Sequence, residues 1–268
     1  MNAELLLDHF DRIVEAPGAV SRLRRFVLDL AVRGKLVPQK VDEGTAQDVL
    51  EAIGGLGSSV PFQEGMPAEP PFLLPESWQW VRLNAVVNFS IGKTPSRHED
   101  RFWNSKDYQW VSIADMADGG VVTRTKEAVS SRAYEEVFKG SPSPVGTILM
   151  SFKLTVGRVS RLGVSAFHNE AIISIYPLLQ ELDPYLFRFL GTFSQWAVTK
   201  NAIKGATLNK SSLNNLLLAL PPLAEQHRIV AKVNELMALC DELEQQLEVQ
   251  TNTAKHLLES VLDQVLAG

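Results

Sequence analysis

"LPPLAEQHRIVAKV", residues 220–233, decides how the rest of the chain is read. Two prolines close one kind of structure, and a charged, strongly periodic stretch opens another. Pro222 suits a first helical position, where its missing N–H leaves no bond unmade. Glu225 falls in the first turn, where the helix dipole favours a carboxylate. Residues 222–266 then read as one helix. Ile229, Val233, Leu236, Cys240, Leu243, Leu247, Gln250, Ala254, Leu257 and Val261 recur at alternating spacings of four and three, a heptad seam with a polar flaw at Gln250. At 1.5 Å per residue this helix is about 66 Å long. Such a seam needs a cover, which could be an internal helix, another subunit, or both.

The same periodicity appears at the other end of the chain. Leu6, Phe10, Ile13 and Val14 form one apolar face, Pro17-Gly18 interrupts it, and Leu23, Phe26, Val27, Leu30 and Ala31 resume helical spacing. Gly34 stands where a left-handed cap is expected, with Pro38 beyond. Residues 1–37 therefore read as an N-terminal helical segment and 38–76 as a linker. Within the linker, "GTAQDVLEAIGG" (44–55) has Thr45 and Asp48 at capping-box spacing, and the Gly-, Pro- and Ser-rich run after it predicts irregular chain. Residues 77–221 change character. "WQWVRL", "YQWVSI", "GTILMSF", "VGRVSRL" and "AIISIYP" are short β-type runs bounded by turn residues, and "DPYLFRFLGTFSQWAVTK" (183–200) is helical in pattern. The fold class is α+β: one mixed domain with long helical, coiled-coil arms at both ends, the C-terminal one covering 222–268.

Composition narrows the class. The chain has 268 residues and a formal net charge of -5, but the charge is uneven. Residues 81–213 hold 16 Lys and Arg against 11 Asp and Glu, while the rest of the chain holds 10 against 20. A mildly basic middle between acidic flanks can attract phosphate. No run of roughly 18 apolar residues predicts a membrane span. Acidic residues within the N-terminal apolar stretch argue against a secretory signal. The one cysteine, Cys240, cannot form an internal disulfide, and a cytoplasmic protein is the simplest reading.

Catalytic signatures are missing. There is no G-x-x-x-x-G-K-[ST] or G-x-G-x-x-G phosphate loop, no G-x-S-x-G elbow, and no Asn/Asp-Pro-Pro-aromatic centre for adenine methylation. One cysteine with the scattered His9, His98, His168, His227 and His256 makes no metal set. "HNE" (168–170) reads as a strand flank, and Cys240, on the seam, as a packing residue.

Four stretches carry a family resemblance. Residues 220–248, "LPPLAEQHRIVAKVNELMALCDELEQQLE", are similar to the passage from recognition domain to coiled-coil arm in the specificity subunits of type I restriction–modification systems. "GATLNKSSLNNLLLALPP" (205–222) resembles the end of that recognition domain. "IGKTPSRHEDRFWNSKDYQWVSIADM" (91–116) resembles its opening, with a turn at Gly92, Thr94 and Pro95. "LRRFVLDLAVRGKLVPQ" (23–39) resembles the far end of a helical arm. A typical member carries two recognition domains and two arms. This chain has one of each, so it resembles a half-length subunit or a fragment of a longer one.

The resemblance implies a non-catalytic DNA-binding subunit. Its implied partners are double-stranded DNA, a methyltransferase subunit, a restriction (motor) subunit and a second copy of itself. S-adenosylmethionine, ATP and Mg are expected on those partner subunits and no cofactor on this chain. A symmetric dimer implies an inverted-repeat bipartite target. A turn of B-DNA is about 34–36 Å, so the rod is long enough to space two half-sites. Two other classes stay in view: a self-contained enzyme, and a coiled-coil adaptor with no DNA role.

Phosphate contacts need cations on loops, and base contacts need side chains that reach groove edges. "GKTPSR" offers Lys93, Ser96 and Arg97. The polar stretch that follows offers Arg124, Lys126 and Arg132. "SFKLTVGR" offers Ser151, Lys153, Thr155 and Arg158, and "KGATLNK" offers Lys204, Thr207, Asn209 and Lys210. The alternative for each is an ordinary solvated loop. Trp78, Trp80, Phe102, Trp103 and Trp110 are expected in the core. Helix packing and dimerisation are expected to use Leu23, Phe26, Val27 and Leu30 with Ile229, Val233, Leu236, Cys240, Leu243, Leu247, Leu257 and Val261. Whether the N-terminal face packs within one protomer or across a dimer is left open by the pattern.

Overall fold

In the structure, a computed structural model, residues 18–56, 71–200 and 208–266 are described. The chain divides into two compact units, Met1–Val37 with Ala231–Gly268, and Pro38–Val230. The long helix begins in the second unit and ends in the first.

In the first unit, α1 (Ala19–Val32) ends as its sequence predicts. Gly34 takes φ 66, its N–H donates to Ala31 O, and the N–H of Lys35 donates to Leu30 O at 2.9 Å. These two bonds satisfy carbonyls that the helix end would otherwise leave open. The other partner in this unit is the C-terminal part of the long helix, on which Arg24 of α1 pairs with Asp241 and Glu244. Val27, Ala31, Val233 and Cys240 are buried, while Phe26, Leu30, Leu236, Leu243 and Leu247 are half-buried. Of the predicted packing residues on α1, Val27 is thus buried and Phe26 and Leu30 half-buried within the chain, while Leu23 stays exposed. Farther along, Leu257 and Val261 are 66% and 48% exposed, with Leu258 and Leu262 exposed beside them. The first part of the predicted N-terminal helical segment, with Leu6, Phe10, Ile13 and Val14, lies outside the described residues.

The second unit opens with α2 (Ala46–Gly55), capped by the reciprocal bonds of Thr45 and Asp48. The strands follow in chain order: β1 (Gln79–Arg82), β2 (Val87–Ile91), β3 (Tyr108–Val111), β4 (Gly120–Val122) and β5 (Glu127–Val129). A short turn of helix, α3 (Ser131–Ala133), runs into a π-helical turn at Tyr134–Phe138. Then come β6 (Ile148–Ser151), β7 (Val159–Leu162), β8 (Ala166–His168) and β9 (Ile172–Pro177). The unit closes with α4 (Asp183–Lys200), α5 (Lys210–Asn214), β10 (Leu217–Leu220) and the start of α6 (Leu223–Leu266).

The strands form three sheets, ordered β2-β9-β6-β7-β4, β5-β3-β8 and β1-β10. Strand β9 lies inside the largest, between β2 and β6. Its Ile172, Ile173, Ser174 and Ile175 are all buried, as expected of a strand covered on both faces. Helix α4 covers the sheet with Tyr185, Phe189, Leu190 and Phe193, all buried. Trp78, Phe102 and Trp110 are core residues, as their sequence predicts, while Trp80 and Trp103 are half-buried.

The first strand of the domain pairs with the last. Val81 lies opposite Leu218, so β1 and β10 bring both ends of the domain together beneath the prolines. Pro222 stands just before α6 rather than inside it, and its carbonyl accepts the N–H of Gln226. Glu225 is buried there. Its carboxylate accepts Trp78 Nε1–H at 2.9 Å and an amide proton of Gln39. Next along α6, Arg228 forks onto Glu43, with Nε 2.8 Å from Oε1, and also donates to Pro38 O. The predicted linker is thus bonded to the first turns of the long helix. Among the described residues no helix is long and apolar enough to cross a membrane.

Candidate nucleic-acid interface

Gly92 sets the position of the first predicted stretch. Its N–H donates to Ile172 O, and the N–H of Lys93 donates to His168 O at 2.9 Å. A Cβ on Gly92 would stand 2.1 Å from His168 O and 2.2 Å from Asn169 O, so only glycine lets the turn lie this close to the β8–β9 connection. Thr94 donates to the Glu170 carboxylate. Trp110 Nε1–H donates to Lys93 O and Trp103 Nε1–H to Ser96 O, both at 3.0 Å. Arg97 lies over the Trp103 ring, 3.9 Å from its centroid, and forks onto Glu127.

Glu127 begins β5, so Arg97 ties the first stretch to the turn 123–126 just before it. That turn is held from inside. The Thr125 hydroxyl lies 2.6 Å from both Gln109 Oε1 and Glu127 O. Asp115 accepts the N–H of Lys126 at 3.0 Å on one oxygen, and the N–H and hydroxyl of Ser112 on the other. Asp115, Val121, Thr123, Arg124 and Lys126 line a shallow open groove. Arg124 and Lys126 are both exposed, and neither has an ion-pair partner among the described residues.

The hairpin between β6 and β7 carries the third stretch. Arg158 sends its guanidinium back to Ile113 O at 3.0 Å, which joins the hairpin to the Ser112–Asp115 turn. Lys153 lies over the Phe152 ring and acts electrostatically on Glu170. The fourth stretch reaches the same place: the N–H of Leu208 donates to Phe152 O at 2.9 Å, just ahead of α5. Hydrogen bonds therefore link the described parts of all four stretches into one rim.

Inside the rim the predicted residues divide by what they touch. Ser151 is fully buried; its hydroxyl donates to Thr155 O and accepts the N–H of Arg158, so it shapes the hairpin instead of facing outward. Asn209 caps α5 through the N–H of Ser212. Lys93 donates to Val137 O, and Arg132 pairs with Glu136. Ser96, Arg124, Lys126, Thr155 and Lys210 are exposed. Lys204 and Thr207 lie outside the described residues. Sequence reasoning passed over Gln109 and Asp115, whose structural work depends on partners 16 and 11 residues away, respectively.

The electrostatics follow from these contacts. Hydrogen bonding to Glu127 raises the Arg97 guanidinium pKa, which keeps it charged. Burial pushes the Glu170 carboxyl up, but Thr94, Lys153 and Arg97 outweigh it and hold it low. His168 is different. Burial lowers it from 6.5 to about 4, so the ring is neutral near pH 7. Its Nε2 lies 2.6 Å from Ser174 Oγ, which is 2.6 Å from Ser143 Oγ, which in turn meets Tyr176 OH at 3.1 Å. This polar thread braces β8, β9 and the segment before β6. Among the described residues there is no group of His, Cys, Asp and Glu suited to a metal.

Comparison with known proteins places the chain in a family. The family model for the type I restriction modification DNA specificity domain matches residues 75–252. The specificity subunits of the type I restriction enzymes EcoEI and EcoAI, both from Escherichia coli, are 27% and 26% identical to the chain. The matches cover 91% and 96% of this chain, against 43% and 46% of those proteins. The chain thus spans about half the length of the curated relatives it matches. A chain from a structure on complex assembly and conformational transition of the type I R-M system aligns with a TM-score of 0.59 at 17% identity, covering 97% of this chain and 56% of that one. The HsdS subunit from Thermoanaerobacter tengcongensis aligns at 0.52 and 19%, with the same coverage. These two likenesses agree with a mixed α+β domain and a long helix. Matched by the family model along about two thirds of its length, the chain belongs to the type I restriction–modification DNA specificity family.

Proposed function

We propose that this chain reads one half of a bipartite duplex target with the domain built on residues 77–221 and directs separate methyltransferase and restriction subunits to it. It contributes no chemistry of its own; S-adenosylmethionine, ATP and Mg belong to those partners, and the work is cytoplasmic. The observation that carries this reading is the rim. Four separate stretches are bonded together there, and Arg124 and Lys126 project from an internally braced turn without ion-pair partners among the described residues. Cations kept open on a rigid turn suit phosphates and base edges, whereas paired cations suit the fold.

Duplex binding measured against salt tests it. Each phosphate contact contributes about 0.9 to the slope of log affinity against log salt. Lys126→Gln should lower that slope by about 0.9 and weaken all sequences alike, while Arg124→Gln should also relax preference at one base position. Salt-independent binding, or an unchanged slope in both variants, would overturn the reading in favour of an adaptor.

The exposed apolar row at Leu257, Leu258, Val261 and Leu262 supports a second part of the proposal, that two copies associate through the distal half of α6. Sedimentation should give twice the chain mass, and Leu257→Asp with Val261→Asp should return it to one. A monomeric wild type would contradict this.

A further inference from the structure

Leu154 gives no reason in the sequence to be chosen. It is apolar, yet it is 82% exposed near the tip of the β6–β7 hairpin. Its φ is +63°, a conformation that leucine rarely adopts. The N–H of Thr155 donates to Lys153 O at 2.7 Å and closes a γ-turn centred on Leu154, in the rare hand with positive φ.

The surrounding contacts impose this conformation. The Ser151 hydroxyl donates to Thr155 O, and the N–H of Gly157 donates to Ser151 O at 2.9 Å. Gly157 takes φ +84°, and a Cβ there would stand 2.9 Å from Gly191 O on α4, so the hairpin is pressed against the helix. Leu208 anchors the other side through Phe152 O. Four neighbours thus hold an unfavourable backbone that leaves a leucine in water. Neither feature helps the isolated fold, and strain that the surroundings enforce is a mark of function.

Leu154 has Lys153 and Thr155 on either side, both suited to a polynucleotide. The one apolar group that a base pair presents in the major groove is the 5-methyl of thymine. We propose that Leu154 is a specificity-determining residue whose side chain seats against the 5-methyl of a thymine in the half-site. This rests on the DNA-reading function above.

The test uses the full chain with its methyltransferase subunit and a random duplex library, comparing wild type with Leu154→Gly and Leu154→Asn. Both substituents tolerate positive φ, so both variants should melt at or above the wild-type temperature. Both should nonetheless lose the preference for thymine at one position. Deoxyuridine in place of that thymine should weaken wild-type binding about fourfold, the value of one buried methyl, and leave Leu154→Gly unaffected. Unchanged base preference in both variants, or a wild type indifferent to deoxyuridine at every thymine, would overturn the role of Leu154 alone. A wild type that selects no sequence at all would overturn the DNA-reading function and Leu154 with it.

Discussion

The base of the domain and its rim use the same kinds of side chain under different exposure to water. At the base, Arg228 forks onto Glu43, and Glu225 is enclosed with Trp78 and Gln39 as its donors. The carboxyl of Glu43 is held low by its bond to Arg228, and that of Glu225 is pushed up by burial. At the rim, Arg97 is paired in the same manner, but Arg124 and Lys126, on the turn that Arg97 helps to fix, keep their charge open to solvent. Pairing serves geometry in both places. At the rim the geometry also holds outward two cations, Arg124 and Lys126, that have no ion-pair partner among the described residues.

That contrast can be broken in three places. The largest effect is expected at Gly92. A methyl there meets two backbone oxygens that cannot move independently of β8 and β9. Gly92→Ala should destabilise the domain by about 3 kcal/mol or more, read by denaturant unfolding. A wild-type midpoint would mean that the turn is not pinned as described.

His168 gives a pH signature of similar size. Its folded pKa lies below its ordinary value, so the unfolded chain binds the extra proton between pH 6.5 and about 4. Stability is therefore fully present above pH 6.5 and falls as pH drops toward 4, by about 3 kcal/mol for this group. His168→Gln should flatten that limb of the stability curve, and an unchanged limb would place the ring in water.

The smallest of the three effects is expected at the base. Arg228→Met should cost about 1–3 kcal/mol, between the values for exposed and buried pairs, and leave the salt slope of DNA binding as it is. A reduced slope would place Arg228 on the DNA and blur the distinction between base and rim.

The sequence made these regions legible to different degrees. Helix α6 was plain because a heptad repeat over ten positions admits no strand, and it starts within one residue of the predicted proline. Strands β6, β7 and β9 were plain as apolar runs bounded by turn residues. Strands β4, β5 and β8 have three residues each, too few for a period of two to show. The stretches of the candidate interface could be picked out by composition, but not the division of labour within them. Arg97 and Glu127 are 30 residues apart, and nothing local marks them as a pair. Ser151 was chosen for its hydroxyl, which turned out to be used inside the hairpin. Leu154 was passed over because its signal lies in a dihedral angle, not in its side-chain type.

The central claim, that this chain chooses where DNA is modified, is tested most directly by methylation-aware sequencing of a host that carries the chain with its methyltransferase subunit, against the same host lacking this chain alone. The account predicts that methyladenine disappears at one bipartite motif, and that the motif is an interrupted palindrome if two copies of the chain read its halves. An identical pattern of methylation in both hosts would contradict it.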